Sequence, residues 1–248
     1  MLLAINIGNT NISLGVFQGQ RLLKRYSLPT QGGSYAVRLR RIIRRHNIKA
    51  AAICSVAPRA AERIAAALKQ AGGVATYYIG KQLKVPLKNR CRYPRKVGQD
   101  RLVNAYAGVK LYGAPLLVVD FGTGITFDAV SAKGEFLGGA ILPGLQLSLS
   151  ALARETALLP KVKLSAPGGL IGRDTRAAML SGAVYGFAAL AEGLAEKMKK
   201  KIGSRSRVIA TGGDARLITK YCAAFDKLDP DLTLKGTMLV FQAANARG

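Results

Sequence analysis

The chain has 248 residues, of which 49% are apolar and 28 are glycine. This length allows one large domain or two modest ones, and the composition is typical of folded α/β proteins and excludes an intrinsically disordered chain. The 38 Lys and Arg outnumber the 13 Asp and Glu, which gives a net charge of +25. A charge of this sign attracts nucleic acid, anionic membranes or anionic metabolites.

The opening MLLAINIGNT has no basic region and soon reaches a glycine turn, so it predicts a buried first strand rather than a signal peptide. No uninterrupted apolar run approaches the roughly 18 residues of a membrane span. The three cysteines, Cys54, Cys91 and Cys222, form neither a metal-binding spacing nor a disulfide framework. We therefore expect a cytoplasmic protein that does not contact a membrane.

The first half of the chain predicts three strands, a basic helix, a strand, an amphipathic helix, a short strand and a polar stretch with prolines. In the basic helix, Leu39, Ile42 and Ile43 recur at helical spacing, which leaves the arginines on a solvated face. A nucleic-acid surface is the alternative reading of this helix and of the Lys-rich segment 197–207. The predicted elements cover residues 2–7, 11–17, 21–27, 35–46, 49–58, 59–71, 75–79 and 80–96.

The second half predicts a helix, a buried strand, a hairpin, two helices, a strand that ends at Gly-Gly, and a final helix. Strands that alternate with helices predict a largely parallel sheet covered by helices. We divide the chain into two halves, residues 1–96 and 97–248. The predicted elements of this half cover residues 99–112, 115–120, 125–142, 144–155, 174–201, 207–213 and 232–245.

Two segments, 5-INIGNTNISLGVFQG-19 and 119-VDFGTGITFDAVSAKG-134, have a common pattern of glycines and small polar residues. This similarity predicts an internal duplication of a strand–turn–strand unit, and chance similarity of short glycine-rich strings is the alternative. At an offset of 114 residues, the matching positions are Asn6 and Asp120, Gly8 and Gly122, Asn9 and Thr123, and Val16 and Val130; one inserted residue then matches Gly19 with Gly134.

Both glycine turns are candidates for binding phosphate, because glycine lets an anion approach unpaired backbone amides closely. Thr10, Thr123 and Thr126 add hydroxyl groups that can donate hydrogen bonds. Two such turns that face each other would hold a nucleotide from both sides. A third turn, 210-ATGGDA-215, is either a surface against a nucleoside or an ordinary strand-to-helix loop.

With only 13 Asp and Glu, few residues can act as a general base or bind a cation. Asp100 lies at a predicted helix start, where it is either a cap or, beside Arg101, part of an anion site. Asp120 ends a buried strand and can meet a cation, and Asp174 fits a helix cap. The single histidine, His46, lies in the basic segment, which argues against catalysis by histidine, and neither a Walker A pattern nor G-x-G-x-x-G occurs.

Six segments, taken in this order, resemble the type III pantothenate kinase family: NIGNTN at 6–11, YPRKVGQDR at 93–101, DFGTGITFD at 120–128, LGGAILPG at 137–144, IGRDT at 171–175 and ATGGDA at 210–215. The resemblance covers essentially the whole chain. It implies two duplicated ribonuclease H-like (actin-like) domains with mixed sheets flanked by helices. It also implies ATP-dependent phosphorylation of pantothenate to 4'-phosphopantothenate, the first step of coenzyme A biosynthesis.

The resemblance also implies roles for individual residues. Asp100 is the general base, Asp120 binds a monovalent cation (K⁺ or NH₄⁺), Mg²⁺ accompanies ATP, and the protein is a homodimer. The implied ATP-binding residues are Asn6, Ile7, Gly8, Asn9, Thr10, Asn11, Ile12, Ser13 and Thr123. The implied pantothenate-binding residues are Tyr93, Gly98, Gln99, Asp100, Arg101 and Thr175.

One position departs from the family pattern, which has a carboxylate where this chain has Asn6. Loss of an indirect contact to Mg²⁺ commonly costs about one to two orders of magnitude in rate or affinity. Besides an active kinase, the sequence therefore leaves open a nucleotide-binding homologue with impaired chemistry. The basic charge leaves open a nucleic-acid-binding or transcriptional accessory protein.

Overall fold

A computed structural model of the chain describes residues 1–32 and 35–246. The contacts within it divide the chain into two compact units. The first unit contains Met1–Leu87, Arg92–Ala107 and the described chain from Asp231 onward, and the second contains Lys88–Cys91 and Gly108–Pro230.

The first unit is built on a five-stranded sheet in the order β3-β2-β1-β4-β5. One face of this sheet is covered by α1 and α2, whose buried Leu39, Ile42 and Ile64 pack with Ile5 and Ile7 of β1. The opposite face packs against α3 and α8. The elements are β1 (Leu2–Ile7), β2 (Asn11–Gln18), β3 (Arg21–Pro29), α1 (Tyr35–His46), β4 (Ala50–Ser55), α2 (Pro58–Gly72), β5 (Ala75–Tyr78), a 3₁₀ turn (Pro94–Lys96), α3 (Gln99–Tyr112) and α8 (Leu232–Asn245).

The second unit contains a five-stranded sheet in the order β10-β9-β6-β7-β8. Leu117, Val119 and Phe121 of β6 pack in its core with Ala188 and Ala191 of α6. The elements are β6 (Leu116–Phe121), β7 (Gly124–Val130), β8 (Phe136–Pro143), α4 (Leu145–Glu155), α5 (Thr175–Ser181), a π-helical turn (Gly182–Gly186), α6 (Phe187–Ile202), β9 (Arg207–Thr211), α7 (Ala215–Ile218) and β10 (Lys227–Leu228).

The two sheets have the same topology, which supports the predicted duplication. In each, the first strand pairs antiparallel with the second and parallel with the fourth. The sheets are therefore mixed, and the expectation of largely parallel sheets was wrong, because the glycine turns join consecutive strands as antiparallel hairpins.

The pairing register corrects the internal alignment. Four residues, 8–11, separate the paired Ile7 and Ile12, whereas three residues, 122–124, separate the paired Phe121 and Ile125. The second turn is thus one residue shorter, and the offset falls from 114 to 113 after it. Val130 is the structural counterpart of Phe17 rather than of Val16, since Leu2 pairs with Phe17 and Leu116 pairs with Val130.

The units do not follow chain order, whereas the sequence-based division at residue 96 does. The C-terminal α8 belongs to the first unit, because Leu234 and Met238 pack against Leu2 and Ala4 of β1. The start of α3 belongs there too, through Val103. Contacts between residues more than 200 positions apart leave no local signal in the sequence.

The predicted helix 174–201 is one helical stretch, Thr175–Ile202, interrupted by the π-helical turn. Its most apolar 18-residue window has a mean hydropathy of 1.4, so it meets a length and composition test for a membrane span, although it contains no uninterrupted apolar run of that length. In that window, 39% of the residues are buried, and Val184, Ala188 and Ala191 pack in the core of the second unit. We interpret it as a core helix of the second unit, because a buried helix in a globular domain can pass the same test.

Candidate active site

The first glycine turn is braced by the end of β3. The amide of Gly8 donates to the carbonyl of Asn11 at 3.0 Å, and the Thr30 hydroxyl donates to the carbonyl of Gly8 at 2.8 Å. A second bond, 3.0 Å long, joins the Thr30 amide to the carbonyl of Thr10. These bonds fix the turn and leave the side chains of Asn9, Thr10 and Asn11 exposed at its tip.

The strand residues beside this turn divide between the two faces of the sheet. The side chains of Ile7 and Ile12 are fully buried in the core, so only their backbone groups are open to a nucleotide. Asn6 and Ser13 are half-buried, are paired directly across β1 and β2, and lie on the other face. The polar positions of the predicted ATP segment thus share one face, as strand alternation requires.

Asp100 is brought to the same face of the first sheet. Asn6 is also paired with Cys54 of β4, a fully buried thiol. Burial raises the pKa of Cys54 well above its usual value, and the negative charge of Asp100 raises it further. The helix α3 carries Asp100 in its first turn and packs through Val103 in the same cluster as Ala4 and Cys54, so Asp100 lies on the sheet face that also bears Asn6.

The carboxylate of Asp100 is held by the start of α3. Its Oδ1 accepts the amide hydrogen of Arg101 at 2.9 Å. Burial raises the pKa of Asp100, and this effect outweighs the hydrogen bond and the charge of Arg101, which lower it. A carboxylate with a raised pKa has a higher proton affinity, which a general base needs.

Two glycines without side chains allow the close packing of Asp100 and Gln99 at the start of α3. A Cβ on Gly98 would lie 2.6 Å from Oδ1 of Asp100. A Cβ on Gly80, whose φ is +87°, would lie 2.8 Å from Cδ of Gln99. Tyr93, in the same segment, is exposed, and its ring is contacted by cations on either side of it in sequence.

The second glycine turn carries Thr123 at its exposed tip. The amide of Gly144, at the start of α4, donates to the carbonyl of Thr123 at 2.9 Å. A Cβ on Gly144 would lie 2.3 Å from the carbonyl oxygen of Gly122, so only glycine permits this approach. Gly144 directly follows β8 and braces the second turn, just as Thr30 directly follows β3 and braces the first turn.

Asp120 and the third glycine turn come together at the end of β6. Asp120 is paired with Thr126 on one side and with Thr211 on the other. Gly212 has a φ of +98°, and a Cβ there would lie 2.4 Å from Oδ1 of Asp120. Within the described residues, the hydroxyl of Thr211 is buried without a hydrogen-bond partner. The Thr211 hydroxyl and the Asp120 carboxylate, next to Gly212, are therefore suitable ligands for a cation that prefers oxygen.

Asp174 is a helix cap, as predicted, because its side chain accepts the amide hydrogen of Ala177 at 2.7 Å. Thr175 follows it as the first residue of α5 and lines a pocket of about 490 Å³ with Leu149, Met179 and Phe187. Its exposed position leaves the hydroxyl open to a ligand.

Several contributing residues gave no clear signal in the sequence. Thr30, Cys54 and Thr211 were not among the predicted site residues. The pairing of Asn6 with Cys54 and of Asp120 with Thr211 requires knowledge of which strands are neighbours. The ring of His46 forms a 2.8 Å hydrogen bond with the Tyr26 hydroxyl.

A family model of type III pantothenate kinases matches residues 2–197. This chain belongs to the type III pantothenate kinase family. It is 39% identical over 251 residues to a member from Moorella thermoacetica, an alignment that covers 98% of this chain and 99% of that protein. It is 37% identical over 250 residues to a member from Myxococcus xanthus, covering 97% and 98%. Membership makes the chain a kinase, and the impaired and nucleic-acid-binding alternatives are not favoured.

Solved structures confirm the fold class. A Baf family protein from Campylobacter jejuni has a TM-score of 0.63 at 19% identity, covering 98% of this chain and 99% of that one. The activator of 2-hydroxyisocaproyl-CoA dehydratase from Clostridium difficile, solved with bound ADPNP, has a TM-score of 0.53 at 12% identity, covering 99% and 96%. An Arthrobacter polyphosphate/ATP-glucomannokinase has a TM-score of 0.50 at 14% identity, covering 100% and 99%. At these identities the similarity establishes two ribonuclease H-like halves and nothing about ligands.

Proposed function

We propose that this chain transfers the γ-phosphoryl group of ATP to the primary hydroxyl of pantothenate, with Asp100 as the general base. The hydroxyl oxygen forms a bond to the γ-phosphorus, the bond to the β–γ bridging oxygen breaks, and ADP leaves. The proton of the hydroxyl passes to the carboxylate of Asp100. The product, 4'-phosphopantothenate, begins coenzyme A biosynthesis.

The position of Asp100 carries the assignment of the base. It is the half-buried carboxylate with a raised pKa on the sheet face that also bears Asn6 and Ser13. Arg101 follows it and supplies a positive charge for an anion beside the base, such as the phosphoryl group in transfer. Gly98 and Gln99 shape the same helix start, which supports their assignment to acceptor binding. Tyr93 and Thr175 are assigned to acceptor binding by the family resemblance.

The two glycine turns are assigned to the nucleotide. Backbone amides of a glycine turn bind phosphate oxygens, and Asn9, Thr10, Asn11 and Thr123 are exposed at the tips to add hydrogen bonds. Mg²⁺ is expected to arrive with ATP and to neutralise charge on the phosphates. Asp120 and Thr211 are assigned to a monovalent cation, K⁺ or NH₄⁺, which supplies further positive charge.

The functional protein is proposed to be a cytoplasmic homodimer. Leu158, Leu170 and Ile171 of the second unit expose 91%, 65% and 85% of their surface. Large apolar side chains exposed this fully on one segment favour burial against another protein surface. The segment leads directly into Thr175, so pairing of two copies would also shield this part of the acceptor site.

A coupled assay of ADP release tests the function. With Mg²⁺–ATP and potassium, we expect ADP release that depends on added pantothenate and slows when sodium replaces potassium. ADP release that is independent of pantothenate would refute the acceptor assignment. Equal rates in potassium and sodium would remove the cation assignment but leave the kinase assignment intact.

A further inference from the structure

Two cations flank the exposed ring of Tyr93. The guanidinium carbon of Arg92 lies 5.5 Å from the ring centroid, and Nζ of Lys96 lies 5.2 Å from it. Both distances are within the roughly 6 Å range of cation–π contacts. A 3₁₀ turn brings Lys96 back over the ring, because its amide donates to the carbonyl of Tyr93 at 3.0 Å.

No ion pair within the described residues neutralises these two cations. In the part of the chain that the structure describes, the carboxylate of Glu135 binds Lys88 and Arg90, but no carboxylate binds Arg92 or Lys96. Both side chains are exposed. Two like charges at one ring repel each other, and an anion placed between or beside them relieves that repulsion.

The chemistry of this cluster selects a carboxylate or a similar small anion. Tyr93 offers a phenol hydroxyl and an aromatic face, and the two cations add charge-assisted hydrogen-bond donors around it. The same stretch of chain continues into Gly98 and the base Asp100, so the cluster belongs to the segment that handles the acceptor.

We propose that Arg92 and Lys96, held at Tyr93, recognise the carboxylate of the acceptor substrate and determine its preference over a neutral analogue. This inference rests on the proposed function. Pantothenate carries the reacting hydroxyl at one end and a carboxylate at the other, so one segment would position the first through Asp100 and the second through this cluster. The role is binding and specificity, not a chemical step.

The expected kinetic effect follows from the distance of the carboxylate from the reacting oxygen. The loss of a contact that is equally strong in the ground state and the transition state raises KM and leaves kcat unchanged. We expect the contact to the carboxylate, which does not react, to be of this kind. Partly exposed charge pairs are worth a few-fold each, so the Arg92→Gln/Lys96→Gln double variant is expected to raise the KM for pantothenate roughly tenfold. The KM for ATP stays constant.

The decisive experiment compares pantothenate with panthenol, in which a neutral alcohol replaces the carboxylate. We expect the double variant to lose roughly tenfold in kcat/KM for pantothenate, while the kcat/KM or the inhibition constant of panthenol changes less than about twofold. The KM of the wild type for pantothenate should also rise with tetramethylammonium chloride at constant potassium, more steeply than that of the variant.

A matched control removes two charges from the same region without touching the ring. Lys84 and Arg95 are exposed like Arg92 and Lys96, and Arg95 lies in the same 3₁₀ turn. The Lys84→Gln/Arg95→Gln variant is expected to keep the wild-type KM. The Tyr93→Phe variant keeps the ring beside the cations and removes only the phenol hydroxyl. Its pantothenate KM therefore distinguishes the contribution of the hydroxyl from that of the ring.

Three outcomes overturn the inference: an unchanged pantothenate KM in the double variant, an equal loss for pantothenate and panthenol, or an equal loss in the control variant. If panthenol neither reacts nor inhibits, the salt dependence decides, and equal slopes for variant and wild type refute the proposal. Failure of the proposed function is distinguishable, because the wild-type protein would then release no ADP in response to pantothenate.

Discussion

The negative charge of Asp100 reaches the thiol of Cys54, whose pKa is raised first by burial and then by this charge. Cys54 is the strand partner of Asn6, so the relationship links the start of α3 to the first glycine turn. A carboxylate on a helix about 46 positions away in sequence thereby shares a sheet face with the predicted phosphate-binding strand. The proposed base and the proposed ATP segment are neighbours within one unit.

Asp100→Asn is expected to reduce kcat by about 10²- to 10⁴-fold, the usual contribution of a positioned general base. The affinity for ATP should stay within a few-fold, because the amide retains the shape of the carboxylate. Single-turnover kinetics and nucleotide titration measure the two effects. Near-normal turnover would show that another group accepts the proton.

The same variant is expected to be more stable than the wild type at neutral pH. Since burial raises the pKa of Asp100, the folded protein holds that proton more tightly than the unfolded chain, whose pKa is about 3.9. Stability is therefore lost as pH rises from this value through the raised folded pKa, and the loss persists above it. Asparagine avoids this cost, so the gain in Tm should be largest near neutral pH and shrink in acid. A gain that does not change with pH would contradict the raised pKa.

Gly98→Ala is expected to lower kcat by about tenfold or more, because misplacement of a catalytic group by about 1 Å has effects of this size. The new Cβ would lie 2.6 Å from Oδ1 of Asp100 and would displace the carboxylate. Gly193→Ala in α6, where a Cβ meets nothing within 4 Å, is the matched control and should keep full activity. Wild-type kinetics in Gly98→Ala would mean that the observed carboxylate position is not the reactive one.

Asn6→Asp is expected to raise kcat at saturating ATP by about tenfold, because it restores the charge that organises Mg²⁺ around the phosphates. The new carboxylate would share a face with Asp100, and two carboxylates repel. The acid limb of the pH–rate profile should therefore move to higher pH when Mg²⁺ is limiting. Asn6→Ser keeps a neutral side chain and serves as the control. Equal or lower turnover in Asn6→Asp would show that the neutral side chain of Asn6 does not limit kcat.

Thr211→Val is expected to weaken activation by potassium several-fold without a loss of stability in potassium-free buffer. The hydroxyl is buried without a hydrogen-bond partner within the described residues, so its removal costs little in the protein alone. A cation beside Asp120 would lose one oxygen ligand. Potassium titrations of ADP release, paired with thermal melts, separate the two effects. A lower Tm with unchanged potassium dependence would assign the hydroxyl to packing.

Leu158→Asp combined with Ile171→Asp is expected to convert a dimer into monomers, as measured by sedimentation velocity. Both side chains are almost fully exposed within the single chain, and a charge would oppose their burial against a second copy. Val37→Asp places the same charge on an apolar side chain of α1 that is 63% exposed, and should leave the assembly unchanged. A wild-type protein that sediments as a monomer would refute the proposed homodimer.

The sequence predicted those features that depend on neighbouring residues. Helical spacing identified the buried face of α1, and Asp174 was correctly interpreted as a cap. The sequence did not predict two short elements, since β10 has two residues and α7 has four, which is too few to show a periodic pattern. The offset change after the second turn also escaped, because a single missing residue in a glycine-rich turn does not disturb the surrounding pattern.

The sequence by itself determined the family, the order of the main elements and the glycine turns, because side-chain periodicity and the steric freedom of glycine are local properties. Only the tertiary structure decided that Asp100 lies near Cys54 and on the face of Asn6, that Gly212 makes room for Asp120, and that α8 completes the first unit. Those features depend on which strands become neighbours and which side chains lose water. Both are set by packing between residues that are distant in the chain.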